Sequence, residues 1–193
     1  GNTLAYARDP AGRLLRVSDV YGRFTALGYN TAGFVHTLTD HAGRVVTYGY
    51  DAVTGRKTSE AGLEGPTGYL YDGDTARIAR VTYPNGSFRR YEYDTEGRVT
   101  LEASDNEEDK LTYVYESSRT LVTDAFLKTT IQELVKVSGA QRPSRVTDPR
   151  GGVTVLGYDN NLNLARREDP EHHVTTYAYD PFGNVLNLTT LAD

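Results

Sequence analysis

Tyr91-Glu92-Tyr93-Asp94-Thr95-Glu96-Gly97-Arg98-Val99 decides the fold of this chain, because its pattern returns as Tyr177-Ala178-Tyr179-Asp180-Pro181-Phe182-Gly183-Asn184-Val185. The same Tyr-Asp step stands at Tyr50-Asp51, Tyr71-Asp72 and Tyr158-Asp159. Weaker copies occur at Tyr29-Asn30 and Tyr115-Glu116, and Arg8-Asp9 fills the slot once more. Successive steps lie 21 or 22 residues apart, apart from one gap of 43 between positions 115 and 158, which is two periods. Self-similarity at such a period marks a repeat architecture, in which each unit packs chiefly on its neighbours.

Each period holds two turns. One series reads Asp9-Pro-Ala-Gly12, Asn30-Thr-Ala-Gly33, Asp94-Thr-Glu-Gly97 and Asp180-Pro-Phe-Gly183. The second, about half a period away, reads Asp19-Val-Tyr-Gly22, Asp40-His-Ala-Gly43 and Asp148-Pro-Arg-Gly151. Asp or Asn at the first position caps backbone N–H groups, and Gly at the fourth takes the left-handed conformation that ends a type I turn. Turns at this spacing leave strands of about six or seven residues, near the usual length. The pattern predicts an all-β antiparallel meander whose turns alternate between the two edges.

Strands entering the first turn series carry tyrosines two apart, as in Tyr48/Tyr50, Tyr69/Tyr71, Tyr91/Tyr93, Tyr113/Tyr115 and Tyr177/Tyr179. Period-two alternation puts each pair on one face. Pairs from successive repeats are expected to approach one another as a tyrosine ladder. The residues between them, Gly49, Leu70, Glu92, Val114 and Ala178, are a mixed set for a face that need not be covered by a second layer. Arg follows Gly at Arg13, Arg23, Arg44, Arg56 and Arg98, where it can pair with a turn acid or lie on a ring. The pattern degrades at about 105–141, where irregular strand pairing and a short insertion near Ser138–Gln141 are expected. Residues 1–193 read as one repeat region of about eight units.

Composition narrows the function classes. Hydrophobic residues make up only 38%, and Tyr supplies 15 residues against 5 Phe and no Trp, which fits half-wet strands sharing a thin apolar layer. A net charge of -5 with interspersed Arg and Asp gives no nucleic-acid stripe. No run has the length of a membrane-spanning helix. The absence of Cys removes disulfides and thiolate chemistry, and the absence of Met suggests a piece of a longer protein.

No catalytic constellation stands out. Asp72-Gly73-Asp74-Thr75 imitates a phosphoryl-transfer motif, in which one carboxylate attacks and the other handles the proton. Asp72, however, occupies the Tyr-Asp slot in phase and reads as a turn residue. His36, His41 and the adjacent His172-His173 are the only histidines. Neighbours on a strand point to opposite faces and cannot both enter one site simply, so the histidines read as surface turn residues rather than as a metal site. The acidic run Asp105–Asp109 lacks a calcium-loop pattern and reads as a hairpin tip. No catalytic residue, metal or cofactor is expected, and the chain is not expected to be an enzyme.

With Tyr-x-Tyr-Asp-x-x-Gly-Arg at this spacing, the chain resembles the RHS/YD-repeat family. The residues that carry the likeness are Tyr50, Asp51, Tyr71, Asp72, Tyr93, Asp94, Gly97, Arg98, Tyr158, Asp159, Tyr179, Asp180 and Gly183. The resemblance implies a β-sheet strip that spirals into a hollow shell, as in bacterial polymorphic toxins, insecticidal toxin-complex components and teneurins. This segment would then be a wall that encloses a C-terminal toxin or other cargo, in a secreted or extracellular protein. Its partners would be the rest of the shell and the cargo, with self-association through open sheet edges. Asp148-Pro149-Arg150-Gly151 and Asp180-Pro181-Phe182-Gly183 lack a following Leu, so self-cleavage is not carried over. The other reading is a cell-surface module whose tyrosine face binds glycans or a protein.

Overall fold

The computed structural model describes residues 3–191, which form eighteen β-strands and contain no helix. They group into two compact units, one ending at Glu92 and one beginning at Tyr93. The first unit contains β1 (Leu4–Arg8), β2 (Leu14–Asp19), β3 (Phe24–Tyr29), β4 (Val35–Asp40), β5 (Val45–Tyr50), β6 (Lys57–Gly62), β7 (Gly65–Tyr71), β8 (Ile78–Thr82) and β9 (Phe88–Tyr93), whose last residue is shared with the boundary. The second contains β10 (Val99–Ser104), β11 (Leu111–Tyr115), β12 (Arg119–Asp124), β13 (Thr129–Val137), β14 (Ala140–Thr147), β15 (Val153–Tyr158), β16 (Leu164–Glu168), β17 (Val174–Tyr179) and β18 (Val185–Leu191). Within each unit every strand pairs antiparallel with the next, which is an all-β meander.

The turns close as their residues dictate. In Asp9–Arg13 the Gly12 N–H donates to the Asp9 carbonyl at 2.9 Å and the Asp9 N–H to the Arg13 carbonyl at 2.9 Å. The same two bonds recur at Asp19, Asn30, Asp40, Asp94, Asp148 and Asp180. Gly97 and Gly183 have φ of 83° and 86°, the left-handed step of a type I turn followed by a bulge. Three turns put another residue in that place: Leu127 (φ 62°), Leu162 (φ 70°) and His172 (φ 68°).

The two turn series differ in one respect that spacing alone conceals. Six hairpins of the Tyr-Asp series carry a register shift beside the slot, at Ala7/Arg8, Gly28/Tyr29, Gly49/Tyr50, Leu70/Tyr71, Gly157/Tyr158 and Ala178/Tyr179, whereas the β11–β12 hairpin at Tyr115 pairs without one. Gly28 pairs with Thr37 but Tyr29 with Val35, leaving His36 as the extra residue of a β-bulge. Second-series hairpins such as β2–β3 and β4–β5 pair without a shift. The bulge therefore absorbs the odd residue of a 21-residue period and raises the local twist.

There is almost no interior. Among the described residues the only fully buried hydrophobic side chain is Ala103, while Leu70 and Val114, on the face opposite the tyrosine pairs, are 61% and 56% exposed. Stability must therefore rest on the hydrogen-bond ladder and on contacts across the strands more than on a packed core. The degenerate stretch keeps the alternation of strands and turns: β13 and β14 meet in a two-residue turn, Ser138-Gly139, with a register shift at Glu133/Leu134. The extra length there lies in a bulge and longer strands, not in an inserted loop.

Candidate functional site

Continuing the β2–β3 register past its last pair places Tyr29 opposite Arg13. The same step places Tyr50 opposite Phe34, Tyr71 opposite Arg56, Tyr115 opposite Arg98 and Tyr179 opposite Asn163. Each tyrosine thus faces the residue that follows the previous repeat's turn. Its phenol donates to the carbonyl one residue further on: Tyr29 to Leu14, Tyr50 to Val35, Tyr71 to Lys57 and Tyr115 to Val99, all at 2.7 Å, and Tyr179 to Leu164 at 2.9 Å. These bonds close the end of the sheet where two neighbouring hairpins meet with no turn to join them. A phenol has one apolar body and one polar tip, so a half-buried tyrosine performs both tasks there.

The residue opposite completes the seam. Arg13, Arg56 and Arg98 place their guanidinium groups 4.9, 4.9 and 4.4 Å from the ring centroids of Tyr29, Tyr71 and Tyr115. Arg13 and Arg98 also hold their own turn acids, Asp9 and Asp94, at 2.7 Å. One arginine therefore ties its turn shut and covers the next repeat's ring. At Asn30–Phe34 both members change: with no carboxylate to pair, Phe34 replaces arginine and stacks on Tyr50 at 5.0 Å and 22°. The chemistry of the contact changes while its geometry is kept. Arg56 reaches further, donating to the carbonyls of Gly73 and Thr75 in the next turn of its series.

Electrostatics follow this geometry. Hydrogen bonding from the Arg13 side chain holds Asp9 below the usual carboxylate range, and Arg44 does the same for Asp40. At Asp94, desolvation pulls upward but is outweighed by the Arg98 N–H and guanidinium, leaving the group lowered. Burial pushes the Tyr115 phenol up. On the remaining rings, Lys57 lies between Tyr48 and Tyr69, with its ammonium 5.7 and 4.5 Å from their centroids and paired to Glu60 at 2.7 Å. Along the expected ladder, Lys57 stands between two rings, while Arg13, Arg56 and Arg98 each cover one.

The other motif residues keep their places as turn residues. Asp51 Oδ1 accepts from the N–H groups of Val53 (3.1 Å) and Thr54 (2.7 Å), and Asp180 Oδ1 from Phe182 and Asn184 (2.9 Å each). Asp159 Oδ1 likewise accepts from Asn161 and Asn163 at 2.9 Å. Tyr93 ends β9 and Asp94 opens the turn to Gly97. Tyr158 differs, for it makes no phenol-to-carbonyl bond among the described residues. Its neighbouring hairpin is the one formed by β13 and β14, which carries the displaced bulge.

The weaker candidates resolve in the same terms. Asp72 opens a six-residue turn in which Thr75 donates from N (3.1 Å) and Oγ1 (2.7 Å) to the Asp72 carbonyl, and all the surrounding pairing is antiparallel. The run Asp105–Asp109 is the tip between β10 and β11, closed by the Ser104 N–H on Asp109 at 2.7 Å. His172 and His173 are not on a strand but in the turn from Asp169, so the opposite-faces argument does not apply to them. The phenol-to-carbonyl partnership escaped sequence reading, since any residue supplies a carbonyl. Only the constant position after the Arg slot, at Leu14, Val35, Lys57, Val99 and Leu164, hinted at it.

Comparison with known proteins follows the same repeats. The RHS Repeat family model matches residues 71–108 and 158–193. Toxin subunit YenC2 of Yersinia entomophaga is 26% identical over 93% of this chain, and toxin subunit YenC1 of the same organism is 24% identical over 93%. The chain spans only 20% and 19% of those two proteins. Among solved structures, TcdB2-TccC3 without its hypervariable C-terminal region aligns with 98% of this chain at a TM-score of 0.56 and 20% identity, over 10% of its own length. The Photorhabdus luminescens Tc holotoxin pore aligns with 92% at 0.52 and 21%, again over 10%. These two likenesses concern the fold.

Proposed function

We propose that this chain, which carries RHS repeats, is a non-enzymatic length of shell wall in a longer exported protein, and that the wall encloses a toxin or other cargo. One observation carries the reading. Of the residues that recur most regularly, Asp and Gly close the turns while Tyr and Arg join one hairpin to the next, with phenols committed to backbone carbonyls and cations lying on rings. Such a seam makes a one-layer sheet continuous without a core, which suits a barrier. It also occupies the aromatic faces that glycan stacking would need, so the wall reading is preferred to a carbohydrate-binding surface. The partners are further repeats of the same protein, which would cover its open edges, and the enclosed cargo.

The test is protease protection in the longer protein that contains this segment. Intact protein should leave its cargo uncut at protease levels that digest the free cargo, and paired Tyr50→Ala and Tyr71→Ala substitutions should open access. Cargo that is cut equally fast in both settings refutes enclosure. For the isolated chain, size-exclusion chromatography with light scattering should show self-association through edges, and a strictly monomeric species would count against open-edged wall.

A further inference from the structure

One turn departs from its series in a way that the wall does not require. Between β16 and β17 the chain reads Asp169-Pro170-Glu171-His172-His173, where the corresponding turns end in Arg23, Arg44, Ser87, Lys128 or Gly152. In the first two of those turns a guanidinium pairs with the leading acid, at 2.6 Å for Arg23–Asp19 and 2.5 Å for Arg44–Asp40. His173 now stands in that place, its Nδ1 3.1 Å from Asp169 Oδ2. Where those two turns hold a fixed cation, this one holds an imidazole, which can offer a nitrogen lone pair.

The turn also aims its acids. Asp169 Oδ1 accepts from the N–H groups of Glu171 (3.1 Å) and His173 (2.9 Å), which locks the carboxylate and leaves Oδ2 facing the ring. Glu171, at the position taken by Tyr21, Ala42, Asn85, Phe126 and Arg150 elsewhere in the series, comes to the same point. One ligand atom from each of Asp169, Glu171 and His173 lies within 4.8 Å of the others. Beside them His172 pairs with Glu168 at 2.8 Å, and Arg166 holds the other Glu168 oxygen at 2.6 Å. Among the described residues this is the only grouping of its kind.

We propose that this turn binds a divalent transition-metal ion of the zinc class through carboxylate oxygens of Asp169 and Glu171 and a ring nitrogen of His173, with water in the remaining positions. Mixed oxygen and imidazole donors suit such an ion better than calcium or magnesium, which prefer oxygen alone. Bound metal would clamp the β16–β17 hairpin where the Asp–Arg pair clamps its relatives, and the inference does not depend on what the wall encloses.

The experiment titrates the whole chain with zinc chloride by calorimetry and follows histidine ring signals by NMR. One ion per chain is expected, with the His173 ring signals moving and a chelator restoring them. His173→Arg reinstates the pair used at Asp19–Arg23, so the turn should fold, and it should weaken binding by about tenfold or more, the scale on which losing even a supporting partner of a ligand acts. Glu171→Ala should weaken binding as well, and metal-free melting curves of both variants should match the parent. Absence of saturable binding, equal binding by His173→Arg, or signals that move at His36 and His41 instead would each overturn the proposal.

Discussion

Replacing Tyr50 with Phe isolates the seam bond from everything else the residue does. The ring stays stacked on Phe34 at 5.0 Å, so the change removes only the phenol that donates to the Val35 carbonyl at 2.7 Å. A net intramolecular hydrogen bond contributes about 0.5–1.5 kcal/mol, and this one is part-buried at a sheet end where water can return to the carbonyl. A loss of about 1 kcal/mol is expected. Tyr158→Phe is the matched control, because that slot makes no equivalent bond, and it should stay within about 0.5 kcal/mol of the parent. Equilibrium urea unfolding followed by circular dichroism gives both values from midpoint and slope. If Tyr158→Phe costs as much as Tyr50→Phe, or if Tyr50→Phe is silent, the seam does not hold the repeats together as argued.

The remaining expectations test other parts of the same account. Leu162→Gly should stabilise the chain by about 1 kcal/mol in the same assay, since a branched residue at φ 70° carries a left-handed penalty that glycine avoids. In a double-mutant cycle, Asn30→Asp and Phe34→Arg together should be better tolerated than the sum of the single changes, with a coupling of about 0.5–1.5 kcal/mol, because only the pair rebuilds the Asp–Arg–ring contact. Melting temperature should be flat above about pH 5 and fall below about pH 4: Asp9, Asp40 and Asp94 are lowered by their arginine contacts, so their contribution is complete above the unfolded carboxylate range and is lost as pH drops through the folded values. An acid limb unchanged by Arg13→Gln and Arg44→Gln would remove the turn pairs from that explanation.

Much of the fold was legible because its signals are local. Gly12, Gly33 and Gly97 mark turns because a left-handed φ is a property of one residue, and the leading Asp caps N–H groups only two and four positions away. Tyr48 and Tyr50 share a face because strands alternate. The seam was not legible, because Tyr29 and Leu14 are 15 residues apart and meet only once the β2–β3 register is set. The bulge at His36 was hidden for the same reason, since an extra residue is defined only against a partner strand. The left-handed φ of His172 was not legible either, since histidine gives no sign of it as glycine would.

By itself, the sequence determined that this protein is a meander of short strands with two kinds of turn per period. Backbone conformation at Gly, Asp and Tyr depends on neighbours a few positions away, and that suffices. Tertiary structure alone decided that Tyr29, Tyr50, Tyr71 and Tyr115 belong energetically to the previous repeat, each under its arginine or phenylalanine and bonded to its carbonyl. That assignment depends on which atoms face each other across strands, and register is a property of the pair of strands rather than of either one.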